Sequence, residues 1–363
     1  MGPDSRAVTR LKNFFRLHPY TNDDHLPYLS AKSLQYDNDT FIFSNTVPSV
    51  LVVAFNQRLI PLTSALVHRW MSLLDPFTAP FCLFPVTVHR IGIMAYGVRR
   101  SGPPIPEQST DPLPPGDYGW YLSDRWEHRC LPEAASSIRP KSFLTMKQTA
   151  SGGHCDPEKM FDVIPEVAHA VMERDRQRCF ITGSEANTEL VWIFTPYYTR
   201  ITHHSDPLAV FATPAEFETA PNAAFLHKDL VPFFLDNAFS VDVDDNHRVV
   251  LFRNIGPAQS LLPSHLTITN GPDDYYLREH FRLSLRVNLL DCDIRKQYPN
   301  GAIFEMMGEL GVDYDDPEME AIVPLSDPRW HTVLGQAILE DIIETGAAAK
   351  YRPCDDEDVE ETD

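Results

Sequence analysis

The sequence predicts an α+β fold built from short strands and amphipathic helices that are joined by long connections. Apolar runs of strand length, such as SVLVVAF at 49–55, occur beside segments with a helical period, such as 275–290. Hydrophobic residues make up 43% of the 363 residues, which is typical of a folded globular chain. The 31 prolines favour loops over long helices. These features exclude a disordered chain and indicate few long helices.

An N-terminal α+β region is expected over residues 1–100. A short helix is predicted near 5–17, and the polar, mixed residues that follow, up to 45, are predicted to be loop. The SVLVVAF run predicts a buried strand, and Thr63 is suited to cap the next helix. The apolar face of that helix comprises Leu66, Val67, Trp70, Met71 and Leu74. A further buried strand is predicted at 87–98, TVHRIGIMAYGV.

Residues 101–155 are predicted to be a Pro-rich linker and a segment without assignable structure. Six prolines lie between 101 and 116, and this density favours an extended loop. The residues up to 155 show no clear period. Pro165 then marks the first turn of a helix, PEVAHAVMERDRQR, which leads into the central part of the chain.

Two pairs of strands are predicted in the central part of the chain. RCFIT (178–182) and ELVWIF (189–194) are short apolar runs that are separated by a turn. Residues 222–235 are expected to form a short helix, and Pro232 disturbs its end. AFSVDV and HRVVLF, within 238–252, flank an Asx-rich turn and predict a hairpin.

A helical extension is expected over 256–350, and a disordered acidic tail over 351–363. Residues 275–290 repeat apolar side chains every four positions, which indicates a helix. A turn of helix is predicted at 316–322, and a longer final helix opens at 326–328.

The formal charge of −20 bears on the partners of the protein. The last nine residues carry seven acidic groups, so −13 of the −20 remains on the rest of the chain. A field of this sign repels phosphate backbones and disfavours nucleic acid as a partner. No run of 18 apolar residues is present, so no membrane partner is expected, and the partner is predicted to be an unidentified protein. The six scattered cysteines form no CxxC pair and fit reduced thiols inside the cell, in the cytoplasm or nucleus.

Two motifs of the central stretch carry a family resemblance. RDRQRCFITG at 174–183 fits the pattern R-D-R-x-R-C-x-I-T-G, and AFSVDVDDNHRVVLF at 238–252 fits F-x-V-D-V-D-x-x-Y-R-V-x-x-F closely. Both resemble the HNH-type (His-Me finger) nuclease domain that is common in fungal proteins. The resemblance covers 165–255 clearly and 275–345 more loosely. It implies a central ββα-type, HNH-like domain over 156–255.

The resemblance also implies where the chemistry of the family would lie. In that family, a histidine on a strand is the general base and a histidine on a helix holds a divalent cation. Alignment on Pro196 places Ile193 at the strand position, and alignment on Asn222 and KDL at 228–230 places Val231 at the helix position. Only Asn222, which braces the loop in the family, is retained. Because isoleucine and valine can neither accept a proton nor bind a metal, no catalytic or metal-binding residue and no cofactor are expected.

The resulting hypothesis is a pseudoenzyme, an HNH nuclease-like protein that has lost catalysis and acts as a scaffold or interaction module. The alternative is an active metal-dependent endonuclease, which hydrolyses phosphodiesters with displaced ligands and a divalent metal. The candidates for those ligands are His203, His204, His227, Asp229 and Asp236. A third hypothesis is a nucleic-acid binder without catalysis. Its candidate basic side chains are Arg174, Arg176, Arg178, Arg200 and Lys228.

Overall fold

In the computed structural model, a five-stranded mixed sheet occupies the first third of the chain. Residues 29–74, 80–122, 162–196, 214–266, 271–313, 321–345 and 352–353 are described. The strands are β1 Thr40–Ser44, β2 Leu51–Phe55, β3 Phe81–Gly92, β4 Ala95–Arg100 and β5 Gly116–Leu122, in the order β2-β1-β5-β3-β4. Strands β1 and β5 are parallel, and the other neighbours are antiparallel. The predicted α+β class is therefore confirmed.

Two helices accompany this sheet, α1 Ala31–Gln35 and α2 Ser64–Leu74. The predicted apolar face of α2 is confirmed, because Val67, Trp70, Met71 and Leu74 are buried and Leu66 is partly buried in the same cluster. This cluster also contains strand residues such as Ile42, Val53 and Leu83. Burial of one large apolar side chain contributes about 1.5–3 kcal/mol, so this contact is a major source of stability.

Three features of this sheet differ from the prediction. Residues 87–98 are not one strand, because the chain turns at Met94, which has a φ of +52°, and β3 pairs with β4. Strand β1 lies within residues predicted to be loop, and β5 lies in the segment without an assignment. Both strands are short. Strand β1 is buried along its whole length, so its sequence lacks the alternation of apolar and polar residues that marks a half-buried strand. The helix predicted near 5–17 lies outside the described residues.

The Pro-rich loop at 101–115 is attached to the sheet. Ile105 forms a backbone bridge with Leu83, and Pro112 forms one with Thr63. The Tyr118 hydroxyl donates a hydrogen bond of 2.6 Å to the carbonyl oxygen of Pro114. The sheet thus extends through this loop to residue 122.

The central part of the chain contains two antiparallel strands, joined by a long connection, and a short helix after the second strand. Its elements are α3 Pro165–Asp175, β6 Thr188–Trp192, α4 Pro214–Phe217, β7 Ala223–His227 and α5 Val231–Leu235. Strand β7 pairs antiparallel with β6. The predicted helix at 222–235 is therefore wrong in its first half, where four consecutive residues of β7 are buried and mask the strand period. RCFIT is also not a strand, because Cys179 and Ser184 close a local turn through a backbone hydrogen bond of 2.8 Å.

The second predicted hairpin is confirmed as β8 Phe239–Asp242 and β9 Arg248–Leu251. The helix predicted at 275–290 is confirmed as α6 Asp274–Leu289. Helix α6 connects two cores: Leu277 packs in the cluster around β6 and β7, whereas Phe281, Leu285 and Leu289 pack in the cluster of the five-stranded sheet.

The last part of the described chain shares one apolar cluster with N-terminal residues that lie between Leu29 and Tyr96 in the sequence. Its elements are α7 Asn300–Glu309, β10 Ala321–Ile322, α8 Val333–Glu344 and β11 Arg352–Pro353. The final helix is confirmed, although a 3₁₀ turn, Pro328–His331, precedes α8. The turn of helix predicted at 316–322 falls mostly outside the described residues, and its last two residues form β10. No described helix has the length and apolarity that are needed to cross a membrane.

Candidate functional site

The candidate site is the end of the β6–β7 hairpin, where it meets α5. Trp192 pairs with Ala223 at the last position of the ladder. Beyond it, the amide of Ile193 donates a hydrogen bond of 2.8 Å to the carbonyl oxygen of Asn222. Val231 opens α5 immediately after the hairpin. The fold therefore brings the three residues that the family alignment selects, Ile193, Asn222 and Val231, into one small unit.

Asn222 is fully buried and uses both ends of its carboxamide. Its Oδ1 accepts a hydrogen bond of 2.9 Å from the amide of Phe194. Its Nδ2 donates to the carbonyl oxygens of Phe194 and Phe217, each at 2.7 Å. These partners lie on opposite sides of residues 197–213, which are outside the described chain. Asn222 therefore ties together the two ends of the long connection between β6 and α4.

The two positions of the family histidines lie inside an apolar core. Ile193 is 2% exposed and Val231 is 7% exposed. Their cluster includes buried hydrocarbon side chains from the turn, the hairpin and α5, namely Phe180, Ile181, Val191, Leu226, Leu230 and Phe234. No side chain in this set accepts a proton or binds a cation. The arrangement is a packed core at the place where a base and a metal ligand would be needed.

The fallback ligands do not converge among the described residues. His227 and Asp229 lie together before α5, with 3.8 Å between Nδ1 and Oδ2. Asp236 lies after α5, and the guanidinium of Arg253 donates to its Oδ2 at 2.7 Å. His203 and His204 lie outside the described residues. Within the part of the chain that the structure describes, no group of three or more His, Cys, Asp or Glu side chains is placed to hold a metal ion.

A small cavity of about 10 Å³ lies beside Ile193. Thr195, Phe234 and His280 contribute to its walls. This volume holds about one water molecule and is far too small for a nucleotide phosphate. The Oγ1 atom of Thr195, although buried, has no hydrogen-bond partner among the residues that the structure describes. The cavity is thus a polar defect in the core and not a substrate pocket.

His280 is a buried histidine next to this cavity that the sequence analysis did not single out. Its Nδ1 lies 2.7 Å from the Ser240 hydroxyl, and its Nε2 lies 3.3 Å from the carbonyl oxygen of Phe234. The ring stacks on that of Phe234 at 3.9 Å. Burial lowers the pKa of His280 to about 4. The imidazole is therefore neutral at pH 7 and both nitrogens are occupied, which makes it a structural group. The available signal was its place beside Leu277 and Phe281 on the apolar face of α6.

An open cleft of about 480 Å³ lies between α2 and the β8–β9 hairpin. Two arginines line it, but both are paired within the protein. Arg69 donates to both carboxylate oxygens of Asp242, at 2.8 and 2.6 Å. Arg248 lies 3.5 Å from Asp245. Because acidic partners neutralise these side chains, the cleft lacks the excess positive charge of an anion site.

Two of the basic residues of the third hypothesis have carboxylate partners within the described chain. Arg174 binds Asp175 at 2.5 Å and also donates to the carbonyl oxygens of Ala220 and Ala223. Arg178 pairs with Glu185 at 2.7 Å. Arg200 lies outside the described residues. Two of the five candidates are thus neutralised by carboxylates of the protein itself.

Comparisons of this chain with models of protein families, with curated proteins and with solved structures find no match. In the ββα unit formed by β6, β7 and α5, Asn222 makes three side-chain hydrogen bonds, and Ile193 and Val231 lie in one apolar cluster.

Proposed function

We propose that this protein contains an HNH nuclease-like domain that has lost catalysis and acts as a scaffold or protein-interaction module. The observation that carries this proposal is the burial of Ile193 and Val231 in one apolar cluster. The sequence of two antiparallel strands and a short helix, β6, β7 and α5, supports the ββα arrangement that the family resemblance implies, whereas the long connection lies between the two strands, where Asn222 spans it. In this proposal, the fold of the domain persists, and the positions of the former catalytic residues have become part of the hydrophobic core.

The chemistry of the lost reaction explains why these two positions decide the function. Hydrolysis of a phosphodiester needs a base for the attacking water and a cation beside the phosphate. General acid–base catalysis contributes about 10²–10⁴-fold, and a hydrocarbon side chain supplies none of it. Packing an isoleucine and a valine there instead adds apolar burial of about 1.5–3 kcal/mol each. Isoleucine and valine at these two positions therefore stabilise the fold but cannot support catalysis.

The first test of this proposal is an assay of nuclease activity with the full chain. Plasmid and single-stranded DNA are incubated with Mg²⁺, Mn²⁺, Ni²⁺ or Zn²⁺, and no metal-dependent cleavage is expected. The variants Asp229→Asn and His227→Gln provide the control for a contaminating nuclease, because they change only this chain. Metal-dependent cleavage that both variants abolish would overturn the proposal.

The same assay addresses the active-nuclease alternative, for which the closeness of His227 and Asp229 is the favouring observation. That alternative requires cleavage that also depends on His203 or His204. Non-catalytic binding to nucleic acid is measured separately, by titrating labelled DNA at several salt concentrations. Strong binding with a steep salt dependence supports the nucleic-acid binder, and its absence supports a protein partner.

A further inference from the structure

Helix α7 presents a large aromatic side chain to solvent. Phe304 is 69% exposed, whereas Ile303 and Met307, to one side of it on the helix, are buried in the C-terminal core. Gly301 and Gly308 lie three residues before and four residues after Phe304, which places them on the same face of the helix. A Cβ atom at either glycine would meet no other atom within 4 Å. Phe304 therefore projects from the helix between two positions that carry no side chain. Another chain segment can approach the helix backbone closely there.

The charge of this face limits what it can bind. Glu305 and Glu309 are exposed, and α7 contains no basic residue. Glu309 lies 3.4 Å from Arg329, so its charge is partly neutralised. Two α7 helices placed face to face would bring these glutamates together, which disfavours a second copy as the occupant. A partner with apolar and basic side chains fits best.

The chain carries such a segment before its first described residue. Residues 5–17 contain four basic and no acidic residues, and the basic ones are Arg6, Arg10, Lys12 and Arg16. Leu11, Phe14 and Phe15 follow the i, i+3, i+4 spacing of an apolar helix face. The segment is thus complementary to the Phe304 face in both charge and hydrophobicity.

The point at which this N-terminal segment joins the fold lies next to α7. Leu29 forms a backbone bridge with Asp293, and the amide of Ala31 donates to the side chain of Gln297 at 2.9 Å. Leu29 also shares the apolar cluster of Ile303. Residues 18–28 can span up to about 36 Å when extended, and α7 is about 15 Å long. The segment can therefore reach any part of α7.

We propose that residues 5–17 dock on the Phe304 face of α7 in the same molecule, with apolar side chains against Phe304 and basic side chains beside Glu305 and Glu309. The tether gives the segment a local concentration in the millimolar range, so a weak contact suffices to populate the docked state. The acidic C-terminal tail is a poor competitor for α7 because its charge has the same sign.

The test uses zero-length carbodiimide cross-linking of the full chain, followed by mass spectrometry. Lys12 is the only lysine among the first 28 residues, so its cross-links report the position of the segment. We expect a Lys12 link to Glu305 or Glu309 in monomeric protein. In Phe304→Ser, which keeps both reacting groups, the yield should fall on the order of tenfold. Tyr275→Ser removes another exposed aromatic side chain and should leave the yield unchanged.

A second variant tests the contribution of the basic side chains of residues 5–17 separately from that of the apolar contact with Phe304. Arg6→Glu, Arg10→Glu and Arg16→Glu together retain Lys12 and should abolish the link and speed hydrogen exchange at 300–309. A mixture of ¹⁴N- and ¹⁵N-labelled protein identifies links between two copies. The proposal is overturned if Lys12 is linked to the acidic tail instead, is linked only between copies, or is not linked to α7 at all.

Discussion

Asn222 shows at the residue scale how one side chain holds a long connection in place. Its carboxamide satisfies three backbone groups of Phe194 and Phe217 in a fully buried setting. The asparagine stabilises the fold through these hydrogen bonds, and this role needs no catalytic group beside it.

We expect Asn222→Ala to lower the free energy of unfolding by about 3 kcal/mol or more, because it leaves buried backbone groups without partners at about 1–3 kcal/mol each. Asn300→Ala, at an exposed position, should change stability by less than about 0.5 kcal/mol. Urea unfolding followed by circular dichroism measures both. Equal effects of the two substitutions would contradict the bracing role of Asn222.

His280 makes the stability of the protein depend on pH. Its pKa is about 4 in the folded protein, against 6.5 for an exposed histidine. Between these values the unfolded chain binds the proton and the folded chain does not, so stability falls as the pH drops from 6.5 to about 4. The loss amounts to about 3 kcal/mol when complete. Urea unfolding at pH 7.5, 5.5 and 4.5 should show a steeper loss for the wild type than for His280→Gln. Parallel curves would exclude His280 as the cause.

At the scale of elements, an ion pair joins α2 to the β8–β9 hairpin. Asp242 is almost fully buried and receives both donors of Arg69, together with the Trp70 indole N–H at 3.0 Å. A second pair, Arg278 with Asp244 at 2.9 Å, joins α6 to the same hairpin, but both of its side chains are about 40% exposed. Both pairs are bidentate, so they allow a buried carboxylate to be compared with an exposed one.

Arg69→Met should destabilise the protein by about 3 kcal/mol, because it leaves a buried carboxylate without its cation. Arg278→Met should cost no more than about 1 kcal/mol, because water screens the exposed pair. The double variant Arg69→Met, Asp242→Asn should recover part of the loss. Thermal unfolding of the four proteins gives these values, and similar losses for the two single variants would mean that burial does not set the strength of the pair.

At the scale of the whole molecule, the segment from α6 to residue 294 links the three large cores. Leu277 belongs to the cluster of the ββα unit, Phe281 and Leu285 to that of the sheet and α2, and Cys292 and Ile294 to the C-terminal cluster. Unfolding of one core therefore removes apolar contacts from this connecting segment and weakens the other two.

We expect the three cores to unfold together. Hydrogen exchange measured in increasing urea should give one midpoint for peptides that cover 40–55, 188–192 with 223–227, and 333–344. Leu285→Ala, which removes a fully buried side chain of the connecting helix α6, should lower all three midpoints to a similar extent. Separate midpoints would show that the cores are independent units.

The candidate site was only partly predictable from the sequence. The identity of Ile193 and Val231 is enough to exclude a base and a metal ligand, because hydrocarbon side chains have no lone pairs. The fate of the fallback residues was not predictable. Asp236 is paired with Arg253 across a sequence separation of 17 residues, and His280 contacts Phe234 across a separation of 46 residues.

Local signals in the sequence determined α2, α6, the final helix and the β8–β9 hairpin, since their apolar spacing and turn residues act within a few positions. The tertiary structure alone decided the pairing of β1 with β5 and the strand at 223–227. Each of these segments is short and buried on both faces, so its period is hidden and a distant partner selects its conformation. The same holds for the burial of Ile193 and Val231: the sequence names two hydrocarbon side chains, and only the packing shows that both lie in one apolar cluster.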